Sequence, residues 1–392
     1  MYFSVLDSKI ECLGLFADKF YKNPPQELVA TWNYCPNLPL DVEYLYLYCG
    51  GNPLAEAADP ENTERLVNHE KKLKAHLKSF HAAKIDLNQH CFYDLVPFDF
   101  IEKYCRAKNH ALAHIHSARE RPKNYEHLLK IHKLIREIEK RDIELDVRAL
   151  YDKRANPRAK KIIQKYRNGR GRIYYNMFGS KTGRLTTTPD SFPILTLNKE
   201  FRNVIKPTND FFLELDFNAC ELRVLLGLLD LEQPKGDIHD WNAKNVFRGL
   251  QTREEAKERI FAWLYNPDSK DRLANKSYDR LLIKEKYWDG KVVTTPFDRQ
   301  IEADEFHALN YTIQSTASDM FLEQVYKLRT ILQHRKSSIS FVIHDSVVID
   351  MAKEDLKSIV LLKNEFENTR FGSFKVNVKA GKSLGEMTER WI

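Results

Sequence analysis

Apolar residues recur every three or four positions from about Tyr125 to Leu145, with lysine, arginine and glutamate between them. Because this spacing puts the apolar side chains on one face of a helix, the segment predicts a long amphipathic helix. A shorter pattern of the same kind, from Leu66 to Phe80, also predicts a helix. Residues 44–48 alternate tyrosine with leucine, which predicts a strand.

Two aspartates lie at the ends of predicted strands. Residues 211–216 alternate so that Asp216 ends a strand, and the leucines that follow predict a helix. Residues 339–349 predict two short strands with His344 and Asp345 at the bend between them. A buried carboxylate is unfavourable without a partner, so both aspartates are candidate ligands of two Mg²⁺ ions. A helix N-cap and turn chemistry explain the two positions as well, and both alternatives remain open.

Residues 252–265 predict a helix that begins with a capping signature, Thr252 followed by Glu255. Four side chains follow one another at intervals of four residues: Arg253, Lys257, Phe261 and Tyr265. This spacing forms a slowly winding stripe of two cations and then two aromatic rings. We interpret the stripe as a site for a triphosphate at its cationic end and for a sugar and base at its aromatic end. The alternative is that neighbouring glutamates merely balance the two cations.

Charge is concentrated in one region. Lysine and arginine number 62 against 55 aspartates and glutamates, so the whole chain is only weakly basic. Residues 151–184, however, hold eleven lysines and arginines and one carboxylate, Asp152, with tyrosines and glycines between them. Such a composition is typical of a groove that follows a nucleic-acid backbone, although a solvated face explains it too. The candidate contacts to a nucleic acid are Lys160, Lys161, Arg170 and Arg172.

Composition excludes several other classes of protein. The 392 residues are 43% hydrophobic and 30% charged, which is typical of a globular protein with more than one compact unit. The sequence shows neither a run of eighteen apolar residues nor a secretory signal, so we expect no membrane span and a cytoplasmic location. Six cysteines without a CxxC pair argue against a structural zinc site and favour a reducing compartment.

The N-terminal region offers only weak candidates. Asp41 and Glu43 form an Asp-x-Glu triplet of the kind found in exonucleases, but such a triplet is common by chance. His110, His114 and His116 have the spacing of metal ligands, although packed or solvent-facing histidines are the commoner explanation.

The motifs, taken in order, resemble those of the family A DNA polymerases. Residues 216–223, DFNACELR, are similar to the first metal motif of the family, and His344-Asp345 is similar to the second. The four-residue stripe of 253–265 resembles the fingers helix of the family. Further similar segments are Thr182-Gly183-Arg184-Leu185, Asp237-Ile238-His239, Asn310 with Gln314, and Gly381-Lys382. The likeness covers residues 171 to 392, more than half of the chain.

This resemblance implies an α+β, right-hand polymerase fold with an antiparallel palm sheet, helical fingers and a helical thumb. The implied divisions are 116–170 for the thumb, 171–229 with 307–392 for the palm, and 230–306 for the fingers. Residues 1–115 are then an N-terminal region of uncertain role, either a reduced exonuclease-like module or a docking module. They are fewer than the usual editing domain needs, so we expect no complete 3′–5′ exonuclease. The compact length suggests a phage-like, viral source.

The implied activity is the addition of dNTPs to a primer 3′ end. The implied ligands of two Mg²⁺ ions, for which Mn²⁺ can substitute, are Asp216, Asp345 and the backbone carbonyl of Phe217. Lys257 is the implied proton donor. The implied dNTP-binding residues are Arg253, Lys257, Phe261, Tyr265, Glu221 and His239. The implied primer-template contacts, besides the basic residues above, are Arg184, Asn310, Gln314 and His344. The expected partners are primer-template DNA, dNTPs and a separate exonuclease or processivity factor.

The sequence departs from the family pattern at four positions. Ser346 follows His-Asp where glutamate is usual, Phe306 replaces an arginine, and Ala262 and Asn266 replace glycines. A single-subunit RNA polymerase, which often reads His-Asp-Ser, is therefore an alternative, but Glu221 and Phe261 favour the DNA enzymes. A non-catalytic DNA-binding remnant is the other alternative, and the presence of both aspartates argues against it.

Overall fold

A computed structural model describes residues 14–16, 19–21, 26, 28–34, 38, 42–87, 89–90, 92–266 and 268–389. The chain divides into two compact units, residues 1–129 and 130–392. Among the helices of the described residues, none has both the length and the apolar character needed to cross a membrane.

The first unit is mainly helical in its described part. Its strands are β1 Gly14–Phe16, β2 Lys19–Tyr21, β3 Ala30–Thr31 and β4 Glu43–Tyr44. Its helices are α1 Leu45–Tyr48, α2 Leu54–Ala57, α3 Pro60–Ala82, α4 Phe92–Leu95 and α5 Phe98–Ala118. Helices α3 and α5 pack together around a core that includes Leu66, Phe80, Phe100 and Tyr104. The helix predicted for residues 66–80 is therefore confirmed as part of α3.

The strand predicted for residues 44–48 is wrong. Strand β4 ends at Tyr44, and α1 occupies the rest of the segment. Leu45 and Leu47 are both buried, while Tyr46 and Tyr48 are half-buried. A single helical turn buries these leucines as well as a strand would, so alternation over only five residues does not distinguish a helix from a strand.

The second unit holds the larger core. Helix α6, Tyr125–Glu139, begins before residue 130 and continues into this unit. Its further helices are α7 Pro157–Lys165, α8 Cys220–Leu228, α9 Ile238–Trp241, α10 Arg253–Tyr265, α11 Arg272–Ser277, α12 Arg280–Tyr287, α13 Glu305–Leu332 and α14 Ile359–Glu367. Its strands are β5 Ile143–Leu145, β6 Arg170–Gly171, β7 Tyr175–Asn176, β8 Thr186–Thr187, β9 Ile205–Lys206, β10 Phe211–Phe217, β11 Val292–Thr294, β12 Gln300–Glu302, β13 Ser338–Ile343, β14 Ser346–Met351, β15 Asn368–Thr369, β16 Gly372–Ser373, β17 Val376–Gly381 and β18 Thr388–Glu389. Short 3-10 helices span Val147–Lys153, Lys199–Val204 and Lys353–Ser358, and a π-helical turn spans Asn242–Val246.

Five strands form an antiparallel sheet in the order β13-β14-β10-β17-β18. The central strand, β10, pairs Asp216 with Ser346 on one side and with Asn377 on the other. Helices α8 and α14 pack against the long helix α13, which also contacts β13. At the end of β10, the ring of Phe217 stacks on Phe366 with centroids 4.2 Å apart. The strand that carries Asp216 is therefore held in the middle of the core.

The amphipathic helix predicted from Tyr125 to Leu145 is too long. Its apolar face is confirmed, because Ile131, Leu134 and Ile138 are buried, but α6 ends at Glu139. Leu145 belongs instead to β5, which pairs with β6 and β9. Residues 140–142, Lys-Arg-Asp, end the helical pattern. Residues 116–170, expected to be helical, therefore also contain a strand, and residues 230–306 also contain the β11–β12 hairpin.

One buried histidine predicts how stability depends on pH. His132 on α6 is 3% exposed, and burial together with the nearby charge of Arg136 lowers its pKa to about 3. Below about pH 6.5 His132 is protonated in the unfolded chain but stays neutral in the folded chain. The free energy of unfolding then falls by up to about 1.4 kcal/mol per pH unit as the pH decreases towards the folded pKa.

We therefore expect the melting temperature of the wild type to fall more steeply between pH 6.5 and 4 than that of His132→Leu. The exposed His334 provides the control, because His334→Leu should leave the slope unchanged. Differential scanning fluorimetry across the pH series measures this, and equal slopes for wild type and His132→Leu would contradict it.

Candidate active site

The sheet brings the two predicted aspartates to the same place. Asp216 lies one residue before the end of β10, opposite Ser346, and Asp345 immediately precedes Ser346 in the bend between β13 and β14. The bend is tight, with His344 in the left-handed region at φ +52°. Asn377 donates a hydrogen bond of 3.4 Å to the Asp216 carboxylate. The predicted strand end and hairpin bend are both confirmed.

The environment of these carboxylates favours a cation. Burial raises the pKa of Asp216 to about 6; Asn377 opposes the rise, and the charges of Glu214 and Asp345 add to it. Burial also raises the pKa of Asp345. Both shifts mean that the ionised carboxylates lack the solvation they would have in water. A divalent ion would supply the missing stabilisation.

The residues present fit Mg²⁺ only if substrate oxygens complete the coordination. The described part of the chain contains no group of three or more histidine, cysteine, aspartate and glutamate side chains suited to a metal ion. Magnesium usually takes one or two carboxylates, with phosphate oxygens and water as its other ligands. Asp216, Asp345 and the carbonyl of Phe217, which ends β10, match that need.

A third acid stands beside this pair. Glu221, in the first turn of α8, forms an ion pair with Arg184, and the two side chains are 10% and 41% exposed. Burial raises the pKa of Glu221 to about 7 even though Arg184 opposes the rise, and the charge of Asp345 adds to it. The charge of Arg184 also opposes the rise that burial causes in the pKa of Asp345. Arg184 is therefore a cation placed among the carboxylates, a pairing that its sequence position did not predict.

The predicted stripe along α10 forms as expected. Thr252 and Glu255 make the full capping box, so the helix begins at Arg253. The rings of Phe261 and Tyr265 are parallel, with centroids 5.9 Å apart, and the centroid of the His239 ring lies 5.6 Å from that of Phe261. Burial lowers the pKa of His239, and its buried Nδ1 makes no hydrogen bond.

Asp237 joins α10 to the strand end, a role that sequence reasoning missed. Its carboxylate accepts hydrogen bonds from the Asn218 amide at 2.8 Å and from Arg253 at 2.8 Å. It also caps α9 by accepting from the backbone N–H groups of His239 and Asp240 at 2.9 and 3.1 Å. These bonds hold the pKa of Asp237 far below its usual range despite burial. The Asp-x-His motif was a signal for this residue, but not for its partner.

Arg223 fixes the loop that leads to Asp237. Its fully buried guanidinium donates to the carbonyl oxygens of Asn218, Pro234 and Gly236 at 2.8, 2.9 and 2.7 Å. The arginine that ends the DFNACELR motif is therefore structural. It ties the residues just after β10 to the segment from which α9 and α10 follow.

The remaining candidates occupy three places. Asn310 and Gln314 lie one turn apart on α13, and the buried side-chain oxygen of Asn310 makes no hydrogen bond. His344 is exposed at the hairpin bend. The basic candidates Lys160, Lys161, Arg170 and Arg172 are all exposed, and Arg172 donates a 2.7 Å hydrogen bond to Asp142.

The N-terminal candidates gain no support. Asp41 lies outside the described residues. Glu43 accepts a hydrogen bond from Tyr48 at 3.0 Å and pairs with Arg121 at 3.3 Å, which is a structural role. His110, His114 and His116 lie along α5. Among the described residues, no group of three or more histidine, cysteine, aspartate and glutamate side chains could hold a metal ion, so these histidines form no such site.

Comparison with known proteins adds one finding. A scan of protein-family models finds no match, and a search of curated proteins finds none either. Solved structures do match, among them the POL domain of Pol1 from M. smegmatis in complex with DNA primer-template and dNTP. The two are 13% identical with a TM-score of 0.53, over 74% of this chain and 75% of that chain. This likeness shows that the chain has the mixed helix-and-strand fold of a DNA polymerase domain.

Proposed function

We propose that this protein is a template-directed DNA polymerase that adds dNTPs to a primer 3′ end with two Mg²⁺ ions. The observation that carries the proposal is the convergence of Asp216 and Asp345, two partly buried carboxylates from distant parts of the sequence. The fold shared with a domain solved with primer-template and dNTP supports it. The direct test is extension of a labelled primer-template with Mg²⁺ and dNTPs.

In this proposal Asp216, Asp345 and the Phe217 carbonyl would hold the ions, which would supply charge neutralisation and activation of the primer hydroxyl. Mn²⁺ would substitute for Mg²⁺. Arg253 exchanges part of its contact with Asp237 for the triphosphate, and the exposed Lys257 binds the triphosphate and donates a proton to the leaving pyrophosphate.

The other candidates bind substrate in this proposal. Phe261, Tyr265 and His239 line the pocket of the new base pair. Residues that contact primer or template near the reaction are Arg184, Asn310, Gln314 and His344. Residues that contact the phosphate backbone farther away are Lys160, Lys161, Arg170 and Arg172.

Glu221 favours dNTPs over rNTPs in this proposal. Its carboxylate is nearly buried and is held by Arg184, so it presents a fixed obstacle to a 2′-hydroxyl. Ser346 does not favour an RNA polymerase, because its hydroxyl donates to the Ile343 carbonyl at 3.1 Å and so serves the hairpin.

We also propose the domain roles that the resemblance implies. Residues 171–229 and 307–392, which include the five-stranded sheet, form the palm. Residues 230–306 form the fingers, 116–170 form the thumb, and 1–115 form a docking or reduced exonuclease-like module. We also propose a separate exonuclease or processivity factor as a partner.

Changing either aspartate tests the proposed metal ligands. We expect Asp216→Asn and Asp345→Asn each to slow primer extension by about a thousandfold or more, because each removes charge from a metal ligand. The affinity for primer-template should change little. Asp190→Asn, at an exposed position, is the control. Extension at the wild-type rate by either variant would refute the assignment.

Glu221→Ala tests the proposed selection of the sugar. We expect the ratio of kcat/KM for dNTP over rNTP to fall by about tenfold or more, since the obstacle to the 2′-hydroxyl is gone. Glu232→Ala, at an exposed acid, should keep the wild-type ratio. An unchanged ratio in Glu221→Ala would place the selection elsewhere and strengthen the RNA-polymerase alternative.

The double change Lys160→Ala/Lys161→Ala tests the basic segment. If both side chains contact phosphates, the plot of log affinity against log salt concentration should flatten by about one unit per contact, for all DNA sequences alike. Lys71→Ala/Lys72→Ala, at adjacent exposed lysines on α3, is the control. An unchanged slope would identify the segment as a solvated face.

A further inference from the structure

A buried ion pair lies beneath the segment that carries Arg184. Arg299, just before β12, donates two hydrogen bonds to Asp319 on α13, at 2.8 and 2.7 Å. The Asp319 side chain is fully buried and that of Arg299 is 12% exposed. We expect this bidentate pair to be rigid. If the guanidinium moved away, the buried carboxylate would be left without a partner and without water.

The backbone of Gly183 rests directly on this pair. A Cβ built at Gly183 would lie 2.5 Å from Nη2 and 2.6 Å from Cζ of Arg299, and Gly183 has φ +75°. Gly183 belongs to the 180–184 turn, in which its N–H donates to the Ser180 carbonyl at 3.2 Å. The Thr182 N–H also donates to the Ser180 hydroxyl at 3.2 Å. The turn is thus closed on itself and seated on the Arg299 guanidinium.

The next residue, Arg184, links this turn to the candidate active site. Its guanidinium pairs with Glu221 and stands near Asp345. Arg184 follows Gly183 directly in the chain, so a shift of the Gly183 backbone against Arg299 would also move the backbone of Arg184.

We propose that Arg299, locked by Asp319, is a positioning residue that seats the 180–184 turn and thereby places Arg184 against Glu221. In this proposal Arg299 acts through the turn and not by contact with substrate. The inference rests on the proposed polymerase function for its effect on activity. The seating of the turn itself rests only on the contacts above.

The test compares two glycines with the same backbone strain. Gly183→Ala adds a methyl group against a guanidinium that cannot swing away. Gly249 has φ +72° and open space within 4 Å of its Cβ position, so Gly249→Ala adds the strain without the contact. We expect amide hydrogen exchange across residues 180–184 in the DNA-free protein to become faster in Gly183→Ala and to stay at the wild-type rate in Gly249→Ala.

The same pair of variants then tests the active site. We expect Gly183→Ala to weaken primer-template binding by about tenfold, measured by fluorescence anisotropy in EDTA, because Arg184 is displaced. The preference for dNTP over rNTP should fall as well, because Glu221 loses its partner. A purely structural defect would not change that preference. Gly249→Ala should stay within about twofold of the wild type in both measurements.

Removing the guanidinium provides the second arm. The double variant Arg299→Met/Asp319→Leu replaces the pair with apolar side chains, a change that buried pairs often tolerate, and its folding is checked by thermal unfolding. In that background Gly183→Ala should accelerate exchange across residues 180–184 no more than Gly249→Ala accelerates it across residues 247–251, because only the backbone strain shared by both variants remains.

The outcomes separate the two proposals. Suppose that the wild-type protein does not extend primers, but Gly183→Ala, unlike Gly249→Ala, speeds amide exchange across residues 180–184. The polymerase proposal then fails, while the positioning of the turn by Arg299 is supported. If primers are extended and Gly183→Ala matches Gly249→Ala in exchange, affinity and sugar preference, the positioning role is overturned.

Discussion

The register of β10 between β14 and β17 is the constraint on which the candidate site depends. Because side chains alternate along a strand, a slip of one residue would turn Asp216 to the opposite face and away from the bend that holds Asp345. Leu213 and Leu215 are fully buried, and Phe217 stacks on Phe366, so a slip would also expose the core. The two carboxylates are therefore brought together by apolar packing, although their own charges oppose it.

Electrostatics around the strand end follow from that enforced proximity. Asp216, Glu221 and Asp345 share a poorly solvated region, and Arg184 is the cation that pairs with one and lies near another. A second ion pair, between Asp237 and Arg253, connects α10 to the residues after β10. Acids at the sheet and cations on the surrounding elements form a site suited to metal ions and phosphates.

What the sequence could predict was mostly local. The strand end at Asp216, the bend at Asp345 and the stripe of α10 follow from alternation, turn preference and capping, all of which act within a few residues. The pairings of Arg184 with Glu221, Asp237 with Arg253 and Arg299 with Asp319 were not predictable, because the whole fold determines them. Local patterns also failed where they were short or interrupted, as at residues 44–48 and after Glu139. The roles of the site residues remain predictions.

Asp237 illustrates how such a design limits the variation that a sequence can accept. One short carboxylate caps α9, receives the Asn218 amide and neutralises Arg253. Glutamate has the charge but is too long for the cap, whereas asparagine and serine can cap but carry no charge. No single replacement performs all three tasks, so a drifting lineage could change this position only together with its partners.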